Sequence, residues 1–231
     1  MRSLTARAIE DEQMDAADLA PETYTRILNE LAVINRLTMG ARPTLNFLDR
    51  AIGSARRFKL LDVGFGQGDM LRAIARWSSR RGIEADLIGV DLNPKSAAVA
   101  EAAAAGLPIR FVTGDYRDQA GAGWDIVISS LTTHHMSPDD LIEFLRFMER
   151  ETRLGWMIND LHRHRFAYAG FPLLARLMGW HRIVREDGQL SVARSFRPAE
   201  WRALIEEAGI ALTATRIVRR FPFRLCVERT R

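Results

Sequence analysis

The stretch Leu60–Met70 constrains the fold more than any other part of the chain. It reads LLDVGFGQGDM, an apolar run followed by three glycines at alternate positions, and a helix-like pattern comes after it. Glycine adopts backbone angles that a Cβ forbids and lets a ligand approach the backbone closely. The pattern therefore predicts a buried strand that turns sharply into a helix, with a cleft for a nucleotide-like molecule at the turn.

The spacing of these glycines separates two kinds of nucleotide site. The dinucleotide fingerprint is G-x-G-x-x-G. Gly64 and Gly66 fit it, but its third glycine position is occupied by Asp69, and the glycine comes one residue earlier, at Gly68. With Asp62 two residues ahead, the stretch resembles motif I of the class I methyltransferases, which bind S-adenosylmethionine (SAM). Taken alone, a glycine-rich surface turn is the alternative interpretation.

Three further apolar runs end in polar residues and support the resemblance. The run 87–90 ends at Asp91, the run 109–113 leads to Asp115, and the run 124–128 ends in two serines. A carboxylate at the carboxyl end of a strand can accept both hydroxyls of a ribose, although Asp91 could also be a plain helix-capping acid. The order and spacing of the four runs resemble motifs I to IV of class I methyltransferases, over about residues 55 to 231.

The resemblance implies an α/β fold with a Rossmann-like seven-stranded sheet. This sheet is mostly parallel, has the strand order 3-2-1-4-5-7-6 with strand 7 antiparallel, and is flanked by helices. Helical periodicity and start signals predict helices near residues 68–81, 94–105, 137–151 and 198–208. The closing runs 211–218 and 221–227 predict an antiparallel pair of strands.

Two domains or subdomains are expected. Residues 1–55 are predicted to form an N-terminal helical cap, of which the first 20 are mobile or a marginal helix, and residues 56–231 to form the methyltransferase domain. The segment 161–196 is too long for a plain loop. In the family such an insertion shapes the substrate pocket; a packing arm on the core or a homodimer contact are the alternatives.

The resemblance also implies which residues hold the cofactor SAM. Asp91 would bind the ribose, Leu92 would pack on the adenine, and Asp115 would meet the adenine amine with Tyr116 stacking nearby. The backbone of Ser130 would meet the amino-acid end of the ligand. The full set of implied cofactor residues is Asp62, Gly64, Gly66, Gly68, Asp91, Leu92, Asp115, Tyr116 and Ser130.

The histidines indicate where the chemistry takes place. His134 and His135 follow the fourth predicted strand and His162 follows the fifth, so all three fall at the sheet edge where ligands of open α/β sheets bind. A histidine suits the removal of a proton from a hydroxyl group, although a structural hydrogen-bonding role is the common alternative. We predict His134 or His135 as the general base, and His162 as the second choice.

The segment 129–136, SSLTTHHM, is similar to the region after strand four of small-molecule methyltransferases, including the ubiquinone/menaquinone group. The motif Asn/Asp-Pro-Pro-Tyr of nucleic-acid amine methyltransferases is absent here. We therefore expect a small acceptor, aromatic or lipophilic, with O-methylation favoured. The alternatives are C-methylation of a quinol or polyketide-like ring, an NAD-dependent oxidoreductase, and a SAM-binding protein without catalysis.

Composition limits the partners. The chain has 231 residues, a formal net charge of +4, and 33 basic residues of which 31 are arginine, but no dense basic cluster with interleaved aromatic residues. No nucleic-acid partner is expected.

The single cysteine, Cys226, excludes an internal disulfide and a cysteine zinc cluster. No metal is predicted, because Asp125 begins rather than ends its strand. Without a secretory signal or a membrane-length apolar run, a cytoplasmic protein with no stable membrane insertion is expected.

Overall fold

A seven-stranded sheet forms the centre of the computed structural model, which describes residues 3–231. The strands are β1 Arg57–Val63, β2 Glu84–Asp91, β3 Ile109–Thr113, β4 Trp124–Ser130, β5 Thr152–Leu161, β6 Arg216–Arg220 and β7 Arg224–Thr230. They lie in the order β3-β2-β1-β4-β5-β7-β6. Only β7 is antiparallel, to both β5 and β6. The predicted strand order and the antiparallel strand 7 are confirmed.

Eight α-helices flank this sheet in the described chain. They are α1 Pro21–Leu37, α2 Arg42–Ile52, α3 Asp69–Arg80, α4 Pro94–Ala103, α5 Pro138–Glu151, α6 Arg165–Leu177, α7 Arg182–Arg194 and α8 Pro198–Glu207. Local sequence explains several starts. Ser137 accepts a hydrogen bond from the Asp140 amide at the start of α5, and Asn93 accepts one from the Lys95 amide at the start of α4, as N-caps do.

The sheet is buried on both faces. One apolar cluster packs α5 and α8 against the sheet around Trp124, Trp156 and Trp201. A second packs α2 and α3 on the other face, around Phe47 and Phe58. Strands covered on both faces read as continuous apolar runs, which is why β1 and β4 could be recognised from the sequence.

The N-terminal strap, residues 3–15, does not match the expectation of a mobile segment or marginal helix. It is mostly non-helical, with a single 3-10 turn at Gln13–Asp15. Leu4 and Ala8 are buried, and the Ala8 amide donates a 3.0 Å hydrogen bond to the carbonyl of Ala193 in α7. These apolar contacts hold the strap against α7. Met1 and Arg2, which belong to the predicted cap, lie outside the described residues.

The predicted insertion and closing hairpin both form regular structure. Residues 161–196 contain the helix pair α6 and α7, so the segment is more helical than expected. The run 211–218 is a strand only from Arg216, because residues 212–214 form a 3-10 turn. Within residues 3–231, none of the helices has the length and apolar character needed to cross a bilayer.

Candidate active site

A cavity of about 760 Å³ opens at the carboxyl ends of the central parallel strands. The strand order reverses between β1 and β4 at this edge, which is where ligands bind in open α/β sheets. One wall consists of the turns that follow β1, β2 and β4. The opposite wall consists of α1, α6 and α7. The volume is within the range that encloses a cofactor-sized ligand.

The glycine turn after β1 borders the cavity at two of its three glycines. Gly64 and Gly66 line the cavity and have φ angles of 77° and 53°, in the left-handed region that favours glycine. A Cβ on Gly64 would overlap the side chain of Thr132. Gly68 has another role: it precedes α3, and a Cβ there would lie 2.7 Å from the Phe111 ring. Gly68 therefore allows close packing against Phe111, and its predicted ligand contact stays a prediction.

Asp62 is a buried acid without a partner. It lines the cavity at the end of β1, and neither carboxylate oxygen has a hydrogen-bond partner among the described residues. Burial, together with the nearby acids Asp69 and Asp91, raises the pKa of Asp62 well above its usual range. An unpaired buried carboxyl group is costly, and a cationic ligand group at this wall would remove the cost.

Asp91 connects the end of β2 with the glycine turn. One carboxylate oxygen accepts a 2.9 Å hydrogen bond from the Gly66 amide, and the other accepts one of 2.9 Å from the Asn93 amide. Burial raises the pKa of Asp91, although these two hydrogen bonds oppose that effect. A carboxylate offers about four acceptor sites, so Asp91 has capacity left to accept from a ribose hydroxyl. Leu92, beside it, lines the cavity and is 73% exposed.

The other predicted cofactor residues reach the cavity in different ways. Asp115 lines it, but its two oxygens accept hydrogen bonds from the amide and the guanidinium of Arg117. Tyr116 lines the cavity, and its ring packs edge-on against Phe144 and Phe147, each at 4.9 Å between ring centroids. Ser130 lines the cavity at the end of β4.

His134 and Asp160 form a buried pair at the ends of β4 and β5. Nδ1 of His134 lies 2.8 Å from Oδ1 of Asp160, and both residues are buried. Burial opposes ionisation of Asp160, but the interaction with His134 and hydrogen bonds from Thr133 and the Leu161 amide outweigh it, so its pKa is low. Ionised Asp160 requires a proton on Nδ1 of His134, which leaves Nε2 as the basic nitrogen.

His135, the neighbouring residue, is held by acids of the N-terminal strap. Its Nδ1 lies 2.9 Å from Oδ2 of Asp15. Glu12 lies between the two histidines, with its oxygens 3.6 Å from Nε2 of His134 and 3.8 Å from Nε2 of His135. Burial raises the pKa of Glu12 to about 7, against the opposing effects of His135 and a hydrogen bond from Ser191.

These three side chains are also a set that could hold a metal ion. One ligand atom from each of Glu12, His134 and His135 lies within 4.8 Å of the others. The prediction of no metal considered only a site built from several acids, as in catechol-type metal enzymes. The set found here has one acid and two histidines. Glu12 and Asp15 could not have been found from the sequence. They lie about 120 residues before the histidines, and no local pattern links the two parts of the chain.

The predicted second base, His162, is not brought together with the residues of the cavity. It is absent from the described cavity lining, and its amide donates a hydrogen bond to the Phe223 carbonyl. Burial, followed by the charge of Arg219, lowers the pKa of His162 to about 4. The structure therefore does not place His162 as a general base: it lies outside the cavity and its imidazole is a weak base.

The wall opposite the cofactor residues is apolar. Its side chains come from α1, α6 and α7 and are mainly aliphatic or aromatic. They are Leu28, Leu31, Phe166, Phe171, Leu174 and Val184. Because α6 and α7 belong to the segment 161–196, the predicted insertion contributes directly to the cavity.

A comparison with protein families identifies the central part of the chain. Residues 60–155 match the family model described as a methyltransferase domain. This range runs from β1 into β5 and contains the glycine turn, Asp91 and His134. A search of curated proteins finds no match. Residues 60–155 are therefore similar to a methyltransferase domain, and Asp62, Gly64, Gly66, Asp91 and His134 all fall within this range.

Solved structures share the fold over most of the chain. The plantazolicin methyltransferase BpumL in complex with S-adenosylhomocysteine (SAH) is 14% identical, with a TM-score of 0.65, covering 93% of this chain and 92% of that one. Human N-acetylserotonin methyltransferase in complex with SAM is also 14% identical, with a TM-score of 0.63 over 92% and 56% of the two chains.

A third structure is a proposed O-methyltransferase from Nostoc punctiforme PCC 73102. It has a TM-score of 0.63 at 14% identity, and the match covers 98% of this chain and 64% of the Nostoc protein. This chain therefore spans less than two thirds of the Nostoc protein's length. These solved structures and this chain share the same fold.

Proposed function

We propose that this chain is a methyltransferase that transfers the methyl group of SAM to a hydroxyl group of a small aromatic or lipophilic acceptor. One observation carries the proposal: the lining of one cavity includes the glycine turn, the unpaired Asp62 and His134, whose ring is hydrogen-bonded to the buried Asp160. Cofactor residues, a positioned base and an apolar wall therefore share a single space. A SAM-binding protein without catalysis would need no oriented histidine there.

The cofactor wall suits the charge of SAM. This cofactor supplies an activated methyl group on a sulfonium and also carries an α-ammonium group, so it brings two positive charges. Asp62 offers a buried carboxyl group without a partner, whose ionised form a bound cation would favour, and Asp91 offers acceptors at the carboxyl end of β2. The complexes of BpumL with SAH and of the human enzyme with SAM support this choice of cofactor.

The histidine pair accounts for the proton. In the reaction the acceptor oxygen forms a bond to the methyl carbon while the carbon–sulfur bond breaks, and SAH leaves. Nε2 of His134 takes the hydroxyl proton, and Asp160 stabilises the imidazolium that forms. Glu12 is 3.6 Å from Nε2, so its negative charge would add to this stabilisation. His135 is the second candidate for the base.

The apolar wall supports the choice of acceptor. Side chains of α1, α6 and α7 offer the acceptor few hydrogen-bonding groups, so binding rests on burial of apolar surface. SAM already carries an activated methyl group, so the main contribution of the protein to the rate is to orient the acceptor hydroxyl toward that methyl group. The proposal therefore favours an acceptor with a hydroxyl group on an apolar or aromatic body.

The test is SAH release from SAM with a panel of phenols and lipophilic alcohols. Once an acceptor is found, His134→Ala should lower kcat by about 10²–10⁴-fold while SAH binding stays unchanged. His164→Ala is the matched control, because His164 lies outside the described cavity lining, and it should retain the rate. Equal turnover by wild type and His134→Ala would remove His134 as the base.

A further inference from the structure

Exposed apolar side chains are concentrated around the mouth of the cavity. Three segments that each contribute to the cavity wall or its rim are residues 31–48, 161–185 and 208–227, and together we call them the mouth surface. Of the 12 large hydrophobic side chains exposed in the described chain, ten belong to it. They are Val33, Leu37, Met39, Phe166, Leu173, Leu174, Leu177, Met178, Phe221 and Phe223.

Two of these segments form one continuous patch. The ring of His164 lies 5.5 Å from Phe166 in α6 and 5.2 Å from Phe223 in the turn between β6 and β7. Phe166 and Phe223 also line the cavity. The exposed side chains Leu173 and Leu177 continue the patch along α6 without lining the cavity. Soluble proteins rarely leave a large contiguous apolar patch exposed without an interaction to cover it.

Arginines are interspersed with the apolar side chains of the mouth surface. Its three segments contain eleven arginines, and the nearest acids in the sequence, such as Glu30, Asp49 and Glu186, lie directly outside the segment bounds. Five of these arginines are exposed and make no ion pair with any carboxylate in the described part of the chain. They are Arg36, Arg42, Arg165, Arg176 and Arg219.

We propose that the mouth surface docks on an anionic lipid bilayer. Exposed aromatic and aliphatic side chains with interspersed arginines are the combination that binds a membrane interface, with the apolar groups entering the acyl boundary and the guanidinium groups meeting lipid phosphates. The cavity then opens toward the lipid, and a lipophilic acceptor enters without crossing water. This last step rests on the proposed function, whereas the docking itself does not.

A bilayer fits these features better than a nucleic acid or a protein partner. A surface that binds single-stranded nucleic acid offers aromatic rings on which bases stack, set among basic residues. The exposed apolar side chains of α6 are mostly aliphatic instead. The apolar groups also come from two separate helices and a turn, which suits a flat and fluid surface. Attachment is peripheral, because the patch lies on short amphipathic elements rather than on a membrane-spanning helix.

The experiment is flotation of the full chain with phosphatidylcholine vesicles, with and without phosphatidylglycerol. Wild type should bind the anionic vesicles and detach as salt rises, because salt screens the attraction. Arg165→Glu/Arg176→Glu should lower the partition coefficient at least about tenfold. Leu173→Glu/Leu177→Glu should also abolish binding. These four residues lie outside the described cavity lining, so SAH binding should be retained in both variants.

Matched controls carry the same chemical changes elsewhere. Arg76→Glu/Arg80→Glu reverses two exposed charges on α3, away from the mouth surface, and Ile9→Glu replaces an exposed apolar side chain of the strap. Both should bind vesicles like wild type. The proposal is overturned if wild type ignores anionic vesicles, binds neutral ones equally, or binds as well with the mouth-surface variants.

A separate outcome would assign the patch to self-association. If light scattering shows a dimer that Leu173→Glu/Leu177→Glu converts to a monomer, with no vesicle binding by wild type, the surface is an interface between copies. A chain that binds vesicles but never binds SAH would instead reject the proposed function and retain the docking proposal.

Discussion

Nδ1 of His134, a residue that lines the cavity, lies 2.8 Å from Oδ1 of the buried Asp160 at the end of β5. The pair is fixed from several sides. The His134 amide donates a 3.0 Å hydrogen bond to the second oxygen of Asp160, and Arg7 and Arg194 donate to the His134 carbonyl. The ring is therefore held with Nδ1 toward Asp160 and with Nε2 3.6 Å from an oxygen of Glu12.

Asp160→Asn should lower kcat by about 10²–10⁴-fold with little change in KM. The amide side chain cannot stabilise the imidazolium, and it can hold the ring in the wrong tautomer. Steady-state kinetics with the identified acceptor measures this split. A change in KM alone would show that Asp160 positions the acceptor and does not assist proton transfer.

Asp62→Asn should weaken SAH binding at least about tenfold, because a charge-assisted contact to the α-ammonium group is lost. The same change should leave the ligand-free protein equally or more stable, since it removes a buried unpaired carboxyl group. Isothermal titration and thermal melting measure the two effects.

Asp125→Asn is the control for the Asp62 variant. Asp125 lies at the opposite end of the sheet and accepts hydrogen bonds from the Lys59 amide and Arg153. Its replacement should lower stability and leave SAH affinity unchanged. Equal affinities for wild type and Asp62→Asn would show that the cation of the ligand is bound elsewhere.

Glu12 makes stability depend on pH in a defined window. Burial raises its pKa from 4.5 to about 7, so between these values the folded state holds a proton that the unfolded state releases. Stability from this group therefore falls as pH rises from 4.5 to 7, by on the order of 3 kcal/mol.

Glu12→Gln should remove that slope, and urea unfolding across the same pH range measures it. Asp11→Asn is the control, because Asp11 is an exposed neighbour in the strap, 95% accessible at its side chain. Its curve should run parallel to that of wild type. A Glu12→Gln curve that is also parallel would mean that Glu12 ionises normally in the folded protein.

Gly64→Ala should destabilise the protein by about 1–3 kcal/mol and abolish cofactor binding. The added Cβ would overlap Thr132, and the φ of 77° is strained for alanine. Gly53→Ala isolates the backbone term, because Gly53 has a φ of 56° with nothing within 4 Å of an added Cβ. It should cost less and leave binding intact. Equal losses of stability and binding at both positions would contradict the role of the close contact.

The sheet could be predicted from the sequence because its signals are local. Each parallel strand is an apolar run that ends in a polar residue, and starts such as Ser137 and Asn93 mark the helices that follow. The resemblance then supplied the order of the strands. The strap could not be predicted, because Leu4 and Ala8 are held by α7, almost 190 residues further along the chain.

The candidate site was only partly predictable for the same reason. His134 and Asp62 adjoin strand ends, so topology places them in the cavity. Glu12 reaches His134 through tertiary packing of the strap, which leaves no periodic signal. His162 was predicted by the same strand-end argument, but the described cavity lining does not include it, so its role as a base stays a prediction.

The most direct test of the account is calorimetric titration of the purified chain with SAM and SAH, with NAD as the control. Micromolar binding of SAM and SAH is expected, because the buried Asp62 has no partner and can bind the ammonium group of these ligands. No binding of NAD is expected, because Asp69 occupies the position of the third glycine in the dinucleotide fingerprint. Binding of NAD without binding of SAH would contradict the central claim and favour an oxidoreductase.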